Sequence, residues 1–421
     1  MPTQVRAAVL AALLLSPAAA ASPATELFQT VSTQLVQNYY GWSDLDRPAL
    51  VERYRHTLDD ACAAAGDTCS YDQGRAVLKT MLAELHDAHT SVKDAEAAER
   101  LREVQEDLTV PRSGARVVSL PQGLLVVSVM PGSPADQAGL RSFDLLTTVQ
   151  GQPAGLNRAQ DASAFVRLER AAQPFTVERR RAGAPDQTLS VGTAPLKARD
   201  EPVLSWLDRP EGRVALIQYP TFLSGDSAAL FLKRLTEAQQ GGAKGLVIDL
   251  RYNGGGRLDQ CVSAVSAFGP TMYQARWTQG SMIYAALDGH PGSPPMVRGA
   301  APEHALWNVH QNGPVTLLVG GNTASCAEVF GYFARKDGAT LVGEATKGVM
   351  NSGVNFVPLP DRGVLSLTTL RAFDSAGQPL PDHLEPDVLA PTDISQLTTQ
   401  GQDTTLQAAL AQMEQPRAAA R

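Results

Sequence analysis

The chain has 421 residues, enough for about three domains of roughly 100–200 residues each, and its 43% hydrophobic content allows real cores. With 36 Lys and Arg against 43 Asp and Glu, the net charge is −7, which gives no basic footprint for nucleic acid or anionic membranes. The 35 Gly and 28 Pro follow no fixed period, which excludes collagen and solenoid repeats.

The beginning of the chain has the pattern of a signal peptide over residues 1–22. Arg6 precedes an apolar run, Ala7–Leu15, and small residues follow as far as Ser22. A short membrane anchor or a disordered terminus is the alternative, although the run is shorter than the ~20 residues that span a bilayer. The pattern predicts an exported protein (periplasmic, cell-envelope or secreted) with no membrane span after the signal is removed.

Residues 23–110 are predicted to be helical, because apolar residues recur at helical spacing in Thr25–Tyr40 and Arg75–Leu85. Ala95–Glu106 is predicted to be a charged, exposed helix. Within this region Cys62 and Cys69 flank a short loop of small residues, where a disulfide could close. The spacing matches no zinc site.

The other two cysteines, Cys261 and Cys326, are far apart in sequence. They are predicted to be buried small apolar residues, with a bridge between them as the alternative.

Residues 111–197 change to short β-branched runs and turns, with a recognisable pattern in the middle. Pro131-Gly132-Ser133-Pro134-Ala135 begins a short helix, with Ser133 placed to cap it and Pro134 in its first turn. Together with the later Ala138–Leu140 and Asp144–Leu146, this resembles a bacterial PDZ domain. The resemblance implies that an extended peptide is added as a strand, at a loop and strand formed by Gly123, Leu124, Leu125 and Val126. A β-rich spacer without a ligand is the alternative.

Residues 198–395 alternate strands and helices, which predicts an α/β domain. Residues 396–421 are predicted to hold a short helix, Thr404–Glu414, and a frayed tail. The fold class is therefore multidomain α/β.

Two loops of the α/β domain carry candidate chemistry. A buried strand, Gly245–Leu250, leads into Asn253-Gly254-Gly255-Gly256, whose backbone N–H groups could approach an oxyanion or a phosphate. The lysine and hydroxyl residue that end a P-loop are missing here. A second strand, Val315–Val319, delivers Ser325 to the start of a helix, where free N–H groups can stabilise an oxyanion. Taken alone, Ser325 could equally be an ordinary helix cap.

Three segments in order resemble the tail-specific (C-terminal processing) and tricorn-like serine peptidases: Asp249–Gly256, Asn322–Glu328 and Leu341–Thr346. Leu384–Val388 resembles the end of the same core. The resemblance implies an N-terminal helical region, a β-rich PDZ domain and a peptidase core of crotonase-like ββα units. It also implies that Ser325 is the nucleophile and that the N–H groups of Cys326 and of Gly254 or Gly255 form the oxyanion hole.

The general base differs between branches of this family. The serine–lysine branch places its lysine where this chain has Val349, while Lys347 lies two residues earlier. The tricorn-like branch takes a histidine, and Leu85–Thr90 resembles its motif with His89 at the histidine position. A neutral imidazole can accept the serine proton at neutral pH, whereas lysine would need strong desolvation. We therefore expect His89 as the base, with Lys347 as the alternative and a base other than either left open.

A carboxylate should orient the histidine, and Asp382 and Glu385 are the nearest matches to the tricorn-like glutamate. No metal is predicted, because His86 and His89 lack a third ligand. No cofactor is predicted either, since no dinucleotide-binding fingerprint is present.

The sequence thus predicts an exported serine endopeptidase that cleaves unfolded or flexible polypeptides through an acyl-enzyme on Ser325. Its partners would be unfolded or C-terminal segments of proteins, bound with help from the PDZ domain. An inactive family member that binds peptides or apolar ligands, and a scaffold in which only the PDZ domain matters, are the alternatives.

Overall fold

The computed structural model describes residues 21–301 and 304–414, which form a mixed α/β arrangement of several sheets and helices. The predicted signal peptide, residues 1–22, lies outside the described residues except for its last two, and so does the predicted tail beyond residue 414. In the part of the chain that is described, no helix has both the length and the hydropathy needed to cross a membrane.

The first segment packs three helices around an apolar core. Their caps are hydroxyl or carboxylate side chains that accept N–H groups of the first turn, as at Ser22, Asp46 and Ser70. A disulfide joins Cys62 to Cys69, with the two Cα atoms 5.4 Å apart. The elements are α1 (Pro23–Asn38), α2 (Arg47–Cys62), a 3₁₀ turn (Gly66–Thr68), α3 (Tyr71–Ala83), β1 (Ser91–Lys93) and α4 (Ala95–Gln105).

The middle unit, residues 109–197, is a small antiparallel sheet with one main helix. Its first and last strands pair with each other (Thr109 opposite Lys197), so the chain enters and leaves the unit at one place. The elements are β2 (Thr109–Arg112), β3 (Ala115–Leu120), β4 (Gly123–Val129), α5 (Pro134–Gln137), β5 (Leu145–Val149), β6 (Gln152–Pro153), α6 (Ala162–Arg170), β7 (Phe175–Arg181), β8 (Ala184–Val191) and β9 (Ala194–Lys197). Ser133 caps α5 and Pro134 is its first residue.

The prediction that Gly123, Leu124, Leu125 and Val126 bind a peptide by strand addition is wrong. β4, which holds Gly123 to Val126, is an inner strand: Leu124 lies opposite Ser119 of β3 on one side and Leu146 of β5 on the other. Because both of its hydrogen-bonding edges are used, no peptide can be added there. The strand order β3-β4-β5-β7-β8 leaves β3 at the edge, beside α6.

The third unit contains a mainly parallel sheet in the order β10-β11-β12-β16-β17-β20. Helices lie between most of its successive parallel strands, as the strand–helix alternation predicts. The elements up to β17 are β10 (Val203–Leu207), β11 (Val214–Gln218), α7 (Ser227–Gln240), β12 (Gly245–Asp249), α8 (Leu258–Val265), β13 (Thr271–Trp277), β14 (Gly280–Leu287), β15 (His290–Gly292), α9 (Pro294–Gly299), β16 (Val315–Val319), α10 (Cys326–Lys336) and β17 (Thr340–Gly343).

A second, antiparallel sheet joins the third unit to the first segment. The last elements are β18 (Ser352–Pro358), β19 (Val364–Phe373), β20 (Val388–Leu389), α11 (Ile394–Gln400) and α12 (Thr404–Met413). β1 pairs with β19 (Ser91 opposite Ser366), and the core of α1–α3 includes Leu365 and Leu367 of β19. The first segment therefore shares its core with the third unit. α12 does the same on the parallel sheet, where Ala409 packs against Val247 and Leu318.

Candidate active site

Neighbouring parallel strands bring the two glycine- and serine-bearing loops together. β12 and β16 pair directly, with Ile248 opposite Leu317, so the loops that follow them leave the same edge of the sheet. Ala324, just before the serine, donates its N–H to the carbonyl of Asn253 at 3.0 Å. The Asn-Gly-Gly-Gly turn and the start of α10 therefore form one surface.

Ser325 has an unusual backbone conformation at the start of α10, with φ 55° and ψ −121°. These angles match the first central position of a type II′ turn, which glycine normally occupies. Strain of this kind in a residue other than glycine concentrates at functional sites. The sequence pattern gives no sign of it, since an ordinary capping serine has extended angles such as those of Ser133 (φ −71°, ψ 165°).

Gly254 and Gly255 are the two oxyanion-hole donors predicted in the glycine turn, and the structure leaves only the N–H of Gly254 available. The N–H of Gly255 donates to the Asn253 side-chain oxygen at 2.9 Å, so that donor is already used. Within the described residues, the N–H groups of Gly254 and Cys326 have no hydrogen-bond acceptor. These two are therefore the amides that remain for an oxyanion.

Gly255 itself is required for the close approach of the two loops. A Cβ atom there would lie 2.8 Å from the Cβ of Ser325 and 2.9 Å from the nitrogen of Cys326, and its φ is +94°. Its role is thus spacing, because only a residue without a side chain fits this contact.

Glu328 is a buried residue that the sequence interpretation missed. Its carboxylate accepts the N–H of Ser325 at 2.7 Å, the hydroxyl of Thr346 at 2.6 Å and the N–H groups of Gly348 and Val349. Burial raises the pKa of this carboxyl, while the four donors favour its charged form. Glu328 therefore ties the serine to the loop after β17; the Ser-x-x-Glu spacing, a capping pattern, was the signal that could have identified it.

His89 lies just before β1 and lines the same cavity as Ser325. Its Nδ1 is 2.9 Å from the hydroxyl of Ser352, a partner 263 residues away that no sequence pattern indicated. The backbone N–H of His89 donates to the carboxylate of Asp87, which also accepts a hydrogen bond from the Thr90 hydroxyl. Desolvation lowers the pKa of His89 to about 4, so the imidazole is neutral at pH 7 and can accept a proton.

The prediction that Asp382 or Glu385 orients His89 is wrong. Asp382 and Glu385 instead bind a different ring: His383 Nδ1 is 2.8 Å from Asp382 and its Nε2 is 3.0 Å from Glu385. These two carboxylates raise the pKa of His383, with Glu385 the larger influence. Asp382, His383 and Glu385 belong to one short loop and bond to each other, so neither carboxylate needs a partner from a distant segment.

Lys347 reaches the site from the loop after β17. Its backbone N–H donates to the carbonyl of Thr323 at 2.9 Å, and its side chain is exposed. Val349, at the lysine position of the other family branch, is buried with 5% of its surface exposed.

A cavity of about 770 Å³ contains the predicted site residues Ser325, Cys326, Gly254, His89 and Lys347 in its lining. Its apolar wall includes Leu258, Tyr273, Tyr284, Val329, Val354, Phe356 and Leu370. This volume lies in the usual range for sites that enclose a small ligand.

An arginine links the middle unit to this site. Arg116 of edge strand β3 donates to the carbonyl oxygens of Pro220 and Tyr252 at 2.8 and 2.7 Å. Tyr252 directly precedes Asn253, so a contact from the middle unit holds the start of the glycine turn.

Cys261 and Cys326 are both free and buried. Among residues 21–301 and 304–414, no cluster of three or more His, Cys, Asp or Glu side chains could hold a metal ion.

Comparison with known proteins finds sequences similar to this chain. Residues 213–390 match the sequence profile of peptidase family S41. The chain is 26% identical over 313 residues to the carboxy-terminal processing protease CtpA of Bacillus subtilis, covering 72% of this chain and 60% of that protein. It is also 26% identical over 325 residues to the carboxy-terminal-processing protease of Bartonella bacilliformis, covering 76% and 70%.

Solved structures show a similar fold at low sequence identity. A putative S41 protease from Bacteroides fragilis has a TM-score of 0.56 and 17% identity, covering 91% of this chain and 96% of its own. Mature CPAF in complex with lactacystin has a TM-score of 0.51 and 15% identity, covering 90% and 95%. The chain thus spans nearly all of these structures but only about 60% of the length of the B. subtilis relative.

Proposed function

Because residues 213–390 match the model of peptidase family S41, we propose that the chain is a serine peptidase whose nucleophile is Ser325. The strained backbone of Ser325 at a helix start, in one cavity with the neutral imidazole of His89, is the observation that carries this proposal. It favours catalysis over the binding-protein alternative, since a hydroxyl nucleophile and a neutral base line the same cavity.

In the proposed reaction the Ser325 hydroxyl attacks the carbonyl carbon of a peptide bond, and His89 Nε2 takes the hydroxyl proton. The N–H groups of Cys326 and Gly254 stabilise the oxyanion of the tetrahedral intermediate. His89 then returns the proton to the leaving amine, which leaves an acyl-enzyme, and water hydrolyses this ester by the same route. The Ser352 hydroxyl takes the position of the third group, since it binds Nδ1 and fixes the ring.

The proposal is tested with the mature chain and an unstructured protein such as casein, with products read by mass spectrometry. Ser325→Ala and His89→Ala should lose cleavage, whereas Lys347→Ala should keep it. Loss in Lys347→Ala with survival of His89→Ala would instead assign the base to the lysine. Cleavage that persists in Ser325→Ala would refute the nucleophile.

We also propose that the middle unit binds the substrate chain as a PDZ domain does, at the edge strand β3. A groove of about 290 Å³ lies between β3 and α6, lined by Arg116, Val117, Ala162 and Val166 among others. Val166→Asp should raise KM for casein, while Thr188→Asp, which adds the same charge on the exposed face of β8, should not. Equal KM values in the two variants would contradict a role for this groove.

Export belongs to the same proposal. A disulfide such as Cys62–Cys69 persists in oxidising compartments, which supports the predicted signal peptide. N-terminal sequencing of the protein from fractionated cells should find a mature start near residue 22. An intact Met1 in the cytosolic fraction would contradict export.

A further inference from the structure

An exposed tryptophan of the first segment contacts the sheet beside His89. Trp42 lies between α1 and α2, with 41% of its surface exposed. Its indole N–H donates to the backbone carbonyl of Asn351 at 2.9 Å, a partner 309 residues away, and the same carbonyl accepts the N–H of Ala372. Asn351 directly precedes Ser352, whose hydroxyl binds Nδ1 of His89. The indole is therefore attached to the residue next to the group that fixes the imidazole.

The ring of Trp42 is held in place by an arginine of β19. Arg371 lies directly opposite Ser352 in the β18–β19 pair. Its guanidinium carbon is 4.4 Å from the ring centroid of Trp42 and 4.6 Å from that of Tyr40, which are cation–π distances. The guanidinium also donates twice to the carbonyl of Gly41, at 2.6 and 3.0 Å. These three consecutive residues, which we call the aromatic clamp, thus hold both strands at the position of Ser352.

The start of β18 needs such a contact, because its own pairing is weak there. Among the described strands, β18 pairs with β19 alone. Its register shifts between Gly353 and Val354, immediately after Ser352. A shift of this kind interrupts the ladder and bends the strand. The aromatic clamp takes the place of a second neighbouring strand at this point.

The aromatic clamp also holds the backbone beside His89. The N–H of Tyr40 donates to the carbonyl of Thr368 at 2.9 Å. Thr368 is in turn bound to Thr90, because its N–H donates to the Thr90 hydroxyl and its own hydroxyl accepts from it, both at 3.1 Å. Thr90 directly follows His89. The ring and the backbone of His89 are therefore both connected to the clamp by short chains of contacts.

We propose that Trp42 is a positioning residue for His89; this rests on the proposed peptidase function. Its bond to Asn351 keeps the Ser352 hydroxyl on Nδ1, which leaves Nε2 to take the proton of Ser325. Core packing does not account for this residue, since its ring is exposed while its one polar group meets a particular carbonyl next to the site.

Trp42→Phe tests the proposal, because it keeps a ring on Arg371 but removes the N–H donor. We expect kcat for casein to fall about tenfold, roughly the usual effect of losing one hydrogen bond. KM should not change, since Trp42 is not part of the cavity lining. A loosened β18 admits water to His89, so the pKa of His89 should rise from about 4 towards 6.5, and the acid limb of kcat/KM should move with it. Trp277→Phe, at a tryptophan of β13 that is 38% exposed, should change neither quantity.

A double variant shows whether the effect passes through Ser352. Ser352→Ala should lower kcat, and adding Trp42→Phe to it should lower kcat no further. Independent losses that multiply would overturn the proposal. Arg371→Lys keeps the charge but cannot hold the Gly41 carbonyl with two donors, so it should reproduce the fall in kcat at constant KM. It supplies the same test if Trp42→Phe does not fold.

A titration of the histidine rings by NMR separates this inference from the proposed function. The full chain is labelled in its histidines, and His89→Ala assigns the signal. A raised His89 pKa in Trp42→Phe, in a protein that cleaves nothing, supports the positioning of the ring and refutes the catalytic proposal. An unchanged pKa and an unchanged kcat, with Ser325-dependent cleavage intact, overturns the inference and leaves the peptidase.

Discussion

The backbone of Ser325 gives a prediction that does not depend on catalysis. At φ 55° and ψ −121° a side chain costs about 1–3 kcal/mol that glycine does not incur. Glycine loses more backbone entropy on folding, about 0.5–1 kcal/mol. The N–H bond from residue 325 to Glu328 remains in either case. Ser325→Gly should therefore raise the free energy of unfolding by about 1 kcal/mol while abolishing activity.

Scanning calorimetry of the full chain and of three variants measures this effect. Ser325→Ala keeps its Cβ and hence the strain, so it should not gain stability. Ser133 is the matched control, because it also caps a helix but has φ −71° and ψ 165°. There, Ser133→Gly should lower stability by a few tenths of a kcal/mol, roughly the usual loss at a cap. Opposite signs at the two serines are the expected result, and a Ser325→Gly variant no more stable than the wild type would refute the strain argument.

Three further predictions concern spacing and protonation. Gly255→Ala should lower kcat by about 100-fold, because its Cβ would push Ser325 and its neighbour out of place, while Gly225→Ala, with no atom within 4 Å, should be neutral in the same assay. Since the pKa of His89 is lowered to about 4, kcat/KM should fall only as pH drops towards 4, and an acid limb near 6.5 would contradict its desolvation. Burial raises the pKa of Asp337 to about 7, so the free energy of unfolding falls as pH rises from about 4 to 7. Asp337→Asn should therefore stabilise the protein at pH 8, by at most about 4 kcal/mol, and make little difference at pH 3. Urea unfolding at the two pH values measures this difference.

Much of the local structure could be predicted from sequence. The strands before the two loops, Gly245–Asp249 and Val315–Val319, are mostly apolar and fully buried, and the structure has them where the sequence pattern predicts. Ser133 caps its helix as its Ser-Pro pair indicates. Such features depend on hydrogen bonds and side-chain spacing within a few residues, and for that reason a short stretch of sequence contains the information.

The arrangement of the site was decided by tertiary structure, because its parts come from distant segments. The ring of His89 is held by Ser352, and strand β1 beyond it is held by pairing with β19; neither contact has a local signal. The burial of β4 on both edges likewise depends on strand order. The motif resemblance predicted Asp382 and Glu385 beside His89, but both bind the ring of His383. A contact between residues this close in sequence costs little chain entropy. The sequence by itself determined which chemical groups are present and where some of the helices and strands lie, as at Gly245–Asp249 and Val315–Val319, whereas long-range strand pairing and core packing decided which of those groups meet.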